Sequence, residues 1–216
     1  MDIQAKLTSF AMLGATWVMW VLVGLSIGGV AIALDRAIYL IRTSDNYRRL
    51  KRDVLAFLRV GDVDAARDRL AASKSVEAQV AAAGLADPEA GAASAEERIA
   101  GATQVAKIRM ERRLAFLGTL GANAPFIGLL GTVIGIIRAF AELNEAAGKV
   151  TAGLMSEVGE ALVATAIGIM VAIPAIAVFN AYQRVIKTRL ARAESLGREV
   201  MAYLRSDRAP QSAHVA

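Results

Sequence analysis

The sequence predicts an all-α membrane protein in which three helices cross the bilayer and long helical extensions run into the cytoplasm. Hydrophobic residues make up 56% of the 216 residues and the mean hydropathy is +0.45, whereas an ordinary soluble domain is about 45–50% apolar. The excess is concentrated in three runs without a formal charge, residues 10–34, 114–137 and 161–183. Each run exceeds the roughly 20 apolar residues that a helix needs to cross a bilayer.

Composition also excludes several classes of function. The chain has no cysteine and a single histidine, His214, in a polar tail, so it offers no thiolate chemistry and no histidine-rich zinc site. The net charge of +5 comes from basic residues at the ends of apolar runs, which indicates membrane topology rather than nucleic-acid binding. The spans carry no HExxH motif and no aspartate pair. We therefore predict no enzyme activity, no metal site and no cofactor.

The first span is predicted at residues 10–34, after a short N-terminal segment at residues 1–9. A cleaved signal peptide is the alternative, but the apolar run is too long and no small-residue cleavage site precedes Asp35. The other boundaries follow from the charges and turn signals. They are a helical insert at 35–113, spans at 114–137 and 152–183, a loop at 138–151, a helix at 184–205 and a disordered tail at 206–216.

The insert is predicted to be a helical collar without an independent core, because it is short and rich in alanine. We expect the first helix to continue out of the membrane past Tyr47, where apolar residues recur at helical spacing. Asp62 is expected to cap a short helix that ends near Leu70. A second short helix is expected over residues 75–85.

The end of the insert is predicted to lead directly into the second span. Asp87 and Pro88 mark a loop that runs to residue 95. Ser94 and Glu97 have the spacing of a capping box, and nothing in the sequence breaks the helix that would follow.

Topology follows from the lysine and arginine residues. They cluster at both ends of the insert and after the third span, while the opposite side carries only Lys6, Arg138 and Lys149. The positive-inside rule therefore places the N-terminus in the periplasm and both the insert and the C-terminus in the cytoplasm.

Small residues in the second and third spans predict close helix packing. Gly121, Gly128 and Gly135 are seven residues apart, so they share one helix face. Gly131 and Gly135 form a GxxxG pair, which lets helix backbones approach. Gly168 and two residues that can kink a span, Pro125 and Pro174, complete this set. The glycine spacing lacks the GK[ST] ending of a phosphate loop, so nucleotide binding is not expected.

Glu160 opens the third span, and a carboxylate at membrane depth is a functional-site hypothesis by default. Its alternative role is a structural hydrogen bond between subunits. Glu157, one turn earlier, is expected to be a solvated end charge. Thr132 and Thr165 could border a pore with Glu160, or each could return its hydroxyl to the carbonyl one turn back.

Two segments then resemble a known family. APFIGLLGTVIGI, at residues 124–136, and VGEALVATAIGIMVAIPAIAVFN, at 158–180, are similar to the signature helices of the TolQ/ExbB proton-channel family, to which the flagellar stator MotA is more distantly related. The resemblance implies a bacterial inner-membrane protein whose five copies form a ring around a dimer of a single-span ExbD- or TolR-like partner. It implies that the second and third spans line the pore and that the first lies outside. The family's pore glutamate falls on Glu160 and its two pore threonines fall on Thr132 and Thr165.

The implied function is that of a proton-channel or stator subunit, which couples the proton motive force to mechanical work. The family serves envelope transport, envelope maintenance and motility, so a TonB- or TolA-like protein or a motility protein is the expected further partner, beside membrane lipids. A carboxylate with few other polar ligands favours H⁺ over Na⁺ as the coupling ion, because Na⁺ needs several oxygens. The alternative function is a scaffold that assembles without conducting.

Overall fold

The computed structural model describes residues 14–206, and every regular element in that range is a helix. The predicted N-terminal segment at residues 1–9, the start of the first span and the tail from residue 207 lie outside the described residues. The helices are α1 (Thr16–Arg42), α2 (Tyr47–Arg59), α3 (Val63–Ala71), α4 (Val76–Gly84), α5 (Gly91–Glu111), α6 (Leu114–Glu145) and α7 (Ala152–Leu204).

The all-α prediction is confirmed for these residues. Three helical stretches are long and apolar enough to cross a membrane, as the apolar runs predict: Thr16–Arg59, Leu114–Glu145 and Ala152–Leu204. The described chain divides into two compact units. We call residues 14–34 and 113–181 the membrane unit, and residues 35–112 and 182–206 the insert unit.

The membrane unit is built from the first part of α1, from α6 and from most of α7. Its interior is a small apolar cluster of medium-sized and small side chains, Val18, Leu22, Leu120, Ala124, Ile134, Ala172 and Ala175. Large apolar side chains such as Trp20, Phe126 and Met170 are exposed instead. An apolar exterior of this kind suits contact with lipid or with other membrane helices.

A short loop joins α6 to α7. α6 runs past the predicted end of its span to Glu145, so only residues 146–151 lie between the two helices. Thr151 caps α7, because its hydroxyl accepts a hydrogen bond from the Leu154 backbone N–H at 3.1 Å. The same hydroxyl donates to Oε1 of Glu142 at 2.6 Å. Glu142 thereby holds the start of α7 against the end of α6.

The insert unit has a core of large apolar side chains. Residues of α2 to α5 contribute to it together with the C-terminal part of α7, and its most buried leucines are Leu50, Leu58, Leu70, Leu85 and Leu196. The insert therefore does not build its core alone, since α7 completes it. Asp62 and Ser75 cap α3 and α4 through hydrogen bonds to the backbone N–H groups of Ala65 and Ala78. The two short helices confirm the sequence prediction.

The expected continuation of the first helix past Tyr47 is wrong. α1 ends at Arg42, and Asn46 caps a separate α2 by accepting from the Arg49 backbone N–H at 3.2 Å. The buried Arg189 of α7 explains why α1 can end there. Its guanidinium donates to the Leu40 carbonyl oxygen at 2.7 Å and to the carbonyl and hydroxyl oxygens of Thr43. These bonds satisfy carbonyls that have no partner at a helix end.

The predicted capping box and the continuous helix into the second span are also wrong. α5 begins at Gly91, so Ser94 lies inside the helix, where its hydroxyl accepts from Arg98 at 2.7 Å. α5 ends at Glu111, and Arg113 has a left-handed backbone with φ of 64°. The buried Arg36 donates to the Arg109 carbonyl oxygen at 3.1 Å, which stabilises this helix end.

Candidate functional site

Thr132 of α6 and Thr165 of α7 lie side by side, and their hydroxyl groups are hydrogen-bonded to each other. Each hydroxyl also reaches the backbone of the opposite helix. Thr132 Oγ1 lies 3.2 Å from the Ala161 carbonyl oxygen, and Thr165 Oγ1 lies 3.1 Å from the Gly128 carbonyl oxygen. Thr132 Oγ1 is farther, 3.5 Å, from the Gly128 carbonyl oxygen of its own helix. Because each hydroxyl has a single proton, one threonine donates to the other, which in turn donates to a carbonyl oxygen. The two hydroxyls, which we call the threonine pair, therefore join α6 to α7 rather than serving each helix separately.

Glycines bring the two helices close enough for this pair to form. A methyl group at Gly128 would lie 2.8 Å from the Ala164 carbonyl oxygen and 3.0 Å from the Thr165 Cα. A methyl group at Gly168 would lie 2.6 Å from the Ala124 carbonyl oxygen. These neighbours are backbone atoms, which cannot turn away as a side chain can. Any larger residue at either position would separate the helices at the threonine pair.

The other predicted packing residues lie along the same contact. Gly131 faces the Ala164 side chain, Gly135 faces the Ala161 side chain, and Gly121 faces the Ile176 side chain. Pro125 and Pro174 lie inside α6 and α7, and both helices continue through them.

Glu160 is next to Ala161, the residue whose carbonyl accepts from the threonine pair, but its carboxylate points elsewhere. Its Oε1 accepts a hydrogen bond from the Thr16 hydroxyl of α1 at 2.6 Å. Within residues 14–206, no hydrogen bond joins Glu160 to Thr132 or Thr165. Sequence reasoning missed Thr16. The available signal was weak, since Thr16 and Ser26 are the two hydroxyl residues of an otherwise apolar run.

Glu157 is not the solvated end charge that the sequence suggested. Its side chain is 17% exposed, and its Oε1 lies 3.0 Å from Nη2 of Arg138 on α6. Its second oxygen, Oε2, is buried without a hydrogen-bond partner in the described part of the chain. The sequence places these opposite charges on either side of the α6–α7 loop, but only the fold shows that they pair.

The chemistry that this arrangement can perform is the exchange of protons. Threonine hydroxyls both donate and accept hydrogen bonds, and a carboxylate can take up a proton. Across residues 14–206, no group of three or more histidine, aspartate or glutamate side chains is placed to hold a metal ion.

Comparison with known proteins identifies the family of this chain. Residues 72–195 match the model of the MotA/TolQ/ExbB proton channel family. The chain is 35% identical over 150 residues to the biopolymer transport protein ExbB of Salmonella typhimurium, a match that covers 63% of this chain and 61% of that protein. It is 46% identical over 74 residues to the ExbB-like 2 biopolymer transport protein of Helicobacter pylori, with 34% of this chain and 49% of that protein covered.

The threonine pair and Glu160 lie within the residues that match the family model. The chain spans about half to three fifths of the length of these two relatives. The family match, in contrast, covers more than half of this chain. Together with the three membrane-crossing helices, it shows that the chain belongs to the MotA/TolQ/ExbB proton channel family.

Proposed function

We propose that this protein is the channel subunit of an inner-membrane motor in which Glu160 and the threonine pair carry protons. The observation that carries the proposal is the hydrogen-bonded contact between Thr132 and Thr165, in which the Thr132 hydroxyl lies 3.2 Å from the carbonyl oxygen of Ala161, the residue after Glu160. Carboxylates are costly at membrane depth and mark ion and proton pathways. The coupling ion in this proposal is H⁺, since the three side chains offer too few oxygens to replace the hydration shell of Na⁺.

The proposed assembly is a ring of five copies around a dimer of a single-span ExbD- or TolR-like protein. The large apolar side chains that α6 and α7 expose support further helix contacts within the membrane. Relatives named biopolymer transport proteins support a role in envelope transport, in which a TonB- or TolA-like protein would receive the work. Envelope maintenance and motility remain the other roles to be tested. None of these roles makes the protein an enzyme.

The proposed orientation places the N-terminus in the periplasm and the insert unit in the cytoplasm. Exposed arginines on α2, including Arg48, Arg49 and Arg52, support it, because cytoplasmic flanks of membrane spans are rich in lysine and arginine. Cysteine labelling from either side of the inner membrane, at introduced sites in the insert and in the α6–α7 loop, tests this orientation.

The test of proton conduction is to co-express the chain with its single-span partner, reconstitute the purified complex in vesicles and measure proton uptake under an imposed potential. We expect Glu160→Gln and Thr165→Val each to reduce uptake about tenfold or more, since a relay group contributes on this scale. Thr188→Val is the matched control, because the Thr188 hydroxyl only returns to the Arg184 carbonyl oxygen of its own helix. Normal uptake in both Glu160→Gln and Thr165→Val would contradict the assignment.

A non-conducting scaffold is the second candidate function, and the hydrogen bond between Thr16 and Glu160 favours it. In that case Glu160 anchors helices and its replacement would prevent assembly. Native mass spectrometry of the complex separates the two functions. The channel proposal expects five copies with two partner chains in both wild type and Glu160→Gln, whereas the scaffold expects the ring to be lost in the variant.

A further inference from the structure

We propose that Thr16 is a positioning residue for Glu160, and that the Arg138–Glu157 ion pair keeps Thr16 in place through the backbone at Gly14. This inference rests on the proposed function of Glu160. It assigns a role in proton handling to α1, the helix that the family resemblance places outside the pore.

The bond between Thr16 and Glu160 is the first step. The donor and acceptor oxygens are 2.6 Å apart, which is the length expected when a hydroxyl donates to an ionised carboxylate. Thr16 lies in the first turn of α1 and Glu160 in α7, with 144 residues between them. A flexible glutamate side chain is thereby held through Oε1 in one orientation.

The segment before Thr16 is fixed by a close approach. Gly14 has φ of +85°, a backbone conformation that favours glycine. A methyl group at Gly14 would collide with Nη1 of Arg138. Gly14 and the next residue, Ala15, are both buried. The chain therefore passes directly over the Arg138 guanidinium immediately before the threonine.

Arg138 is itself held from the other side. Its Nη2 lies 3.0 Å from Oε1 of Glu157, whose side chain is mostly buried. Gly135, one turn before Arg138, lets α6 approach α7 so closely that a methyl group there would be 3.3 Å from the Glu157 carbonyl oxygen. The contacts thus run from Glu157 to Arg138, to Gly14, to Thr16 and to Glu160, and all of them lie within the membrane unit.

This arrangement has a chemical consequence for Glu160. The hydrogen bond occupies Oε1 and directs the side chain toward α1. Loss of the donor would leave Glu160 free to adopt other orientations and would leave Oε1 open to a reagent. A hydrophobic carbodiimide detects that change, because it modifies carboxyl groups whose oxygens it can reach.

The experiment compares Thr16→Val, which keeps the shape and removes the hydroxyl, with Thr16→Ser, which keeps the hydroxyl. Each variant is purified as the full complex with its partner chain. The complex is checked for assembly, reconstituted and assayed for proton uptake and for the rate of carbodiimide labelling at Glu160, located by peptide mass spectrometry. Thr103→Val is the control, since the Thr103 hydroxyl donates to the Ile99 carbonyl oxygen of its own helix.

We expect Thr16→Val to label about tenfold faster and to change proton uptake severalfold, because the Glu160 carboxyl group loses the hydrogen bond that holds it in one orientation. Thr16→Ser and Thr103→Val should match the wild type. Breaking the ion pair with Glu157→Gln should move labelling in the same direction as Thr16→Val, and combining both changes should add little.

The outcomes separate this inference from the proposed function. Unchanged labelling and uptake in an assembled Thr16→Val complex would overturn the positioning role, even if Glu160→Gln stops uptake. Normal uptake in Glu160→Gln would instead overturn the proposed function. If Thr16→Val does not assemble, Thr16→Ala replaces it. If neither assembles while Thr16→Ser does, the hydroxyl serves folding and the inference is wrong.

Discussion

The two units of this chain are both made of helices, but they hold their helices together in different ways. In the membrane unit, α6 and α7 touch through glycines, and a methyl group at Gly128 or Gly168 would meet the opposite backbone. In the insert unit, the core is filled by leucines from several helices, including Leu50, Leu70 and Leu196. α7 takes part in both units, so a single helix uses both kinds of contact along its length.

The difference follows from the solvent that each unit is built for. Water drives large apolar side chains into a core, at roughly 25 cal/mol per Å² of buried apolar surface. Lipid tails are as apolar as leucine, so membrane helices associate through close backbone packing and polar bonds instead. The threonine pair and the Arg138–Glu157 ion pair are such polar bonds. The elements with candidate functions are therefore also the ones that hold the membrane unit together.

Leu196→Ala is expected to cause the largest difference in stability between the two units. Leu196 is fully buried in the core of the insert unit, and truncating such a leucine costs about 2–5 kcal/mol. Hydrogen exchange of the purified complex should show faster exchange in α2 and α3, with α6 unchanged. Ile108→Ala, at a side chain that is 69% exposed, should leave exchange unchanged. Equal loosening of α6 would mean that the two units do not unfold separately.

The next effect is expected from Gly128→Ala in the membrane unit. The added methyl group would press on backbone atoms of α7 at 2.8 and 3.0 Å, and overpacking of this kind costs about 1–3 kcal/mol. We expect a lower thermal unfolding temperature in detergent and a loss of proton uptake. Gly24→Ala should act in the opposite direction, because no atom of residues 14–206 outside its own stretch of α1 lies within 4 Å of its Cβ position and alanine favours a helix over glycine by roughly 0.5–1 kcal/mol. Destabilisation by both changes to the same degree would rule out the backbone contact as the cause.

A smaller, pH-dependent effect is expected from Glu77→Gln. Glu77 is 5% exposed in the insert unit. Burial raises the pKa of its carboxyl above the ordinary 4.5, although the positive charges of Arg189 and Arg192 act in the opposite direction and lower it. The folded wild type therefore holds its proton more tightly than the unfolded chain, and it loses stability as the pH rises from about 4.5 to the folded-state pKa. The glutamine variant lacks this loss.

The measurement is hydrogen exchange of α4 across this pH range. Below pH 4.5, the α4 amides of Glu77→Gln should be as protected from exchange as those of the wild type. Above pH 4.5, they should be more protected than those of the wild type, by at most about 1 kcal/mol. Glu194→Gln, at an exposed position of α7 in the same unit, is the control and should show no such trend. A variant less protected than the wild type at neutral pH would show that the ionised Glu77 stabilises the unit.

The smallest effect is expected from Arg205→Ala. Arg205 pairs with Glu96 at 2.7 Å, but both side chains are about 60% exposed. Exposed ion pairs contribute about a few tenths of a kcal/mol and are screened by salt. Removal should change the unfolding temperature only marginally, and the difference should vanish at high salt. Arg138→Ala in the membrane unit should show a larger change without that salt dependence, because the Arg138–Glu157 pair is more buried.

The local patterns of the sequence predicted much of the fold. Charge-free runs revealed the three long apolar helices, and Asp62 revealed the start of α3. The failures lie where distant residues decide. Asn46 gave a local signal for the start of α2, but the carbonyl and hydroxyl groups at the end of α1 are bound by Arg189, 146 positions away. Likewise, the end of α5 depends on Arg36, which lies 73 residues earlier.

The sequence by itself determined the three apolar helices, their glycine faces and the residue types that can handle protons. A bilayer imposes these features on each segment separately, through its thickness and its lack of water. Each feature can therefore be predicted from a single segment of the sequence. Only the tertiary structure decided which polar groups meet. It joined Thr132 to Thr165 and Glu160 to Thr16, and it paired Arg138 with Glu157. Such bonds depend on how three helices pack side by side, which no single stretch of sequence records.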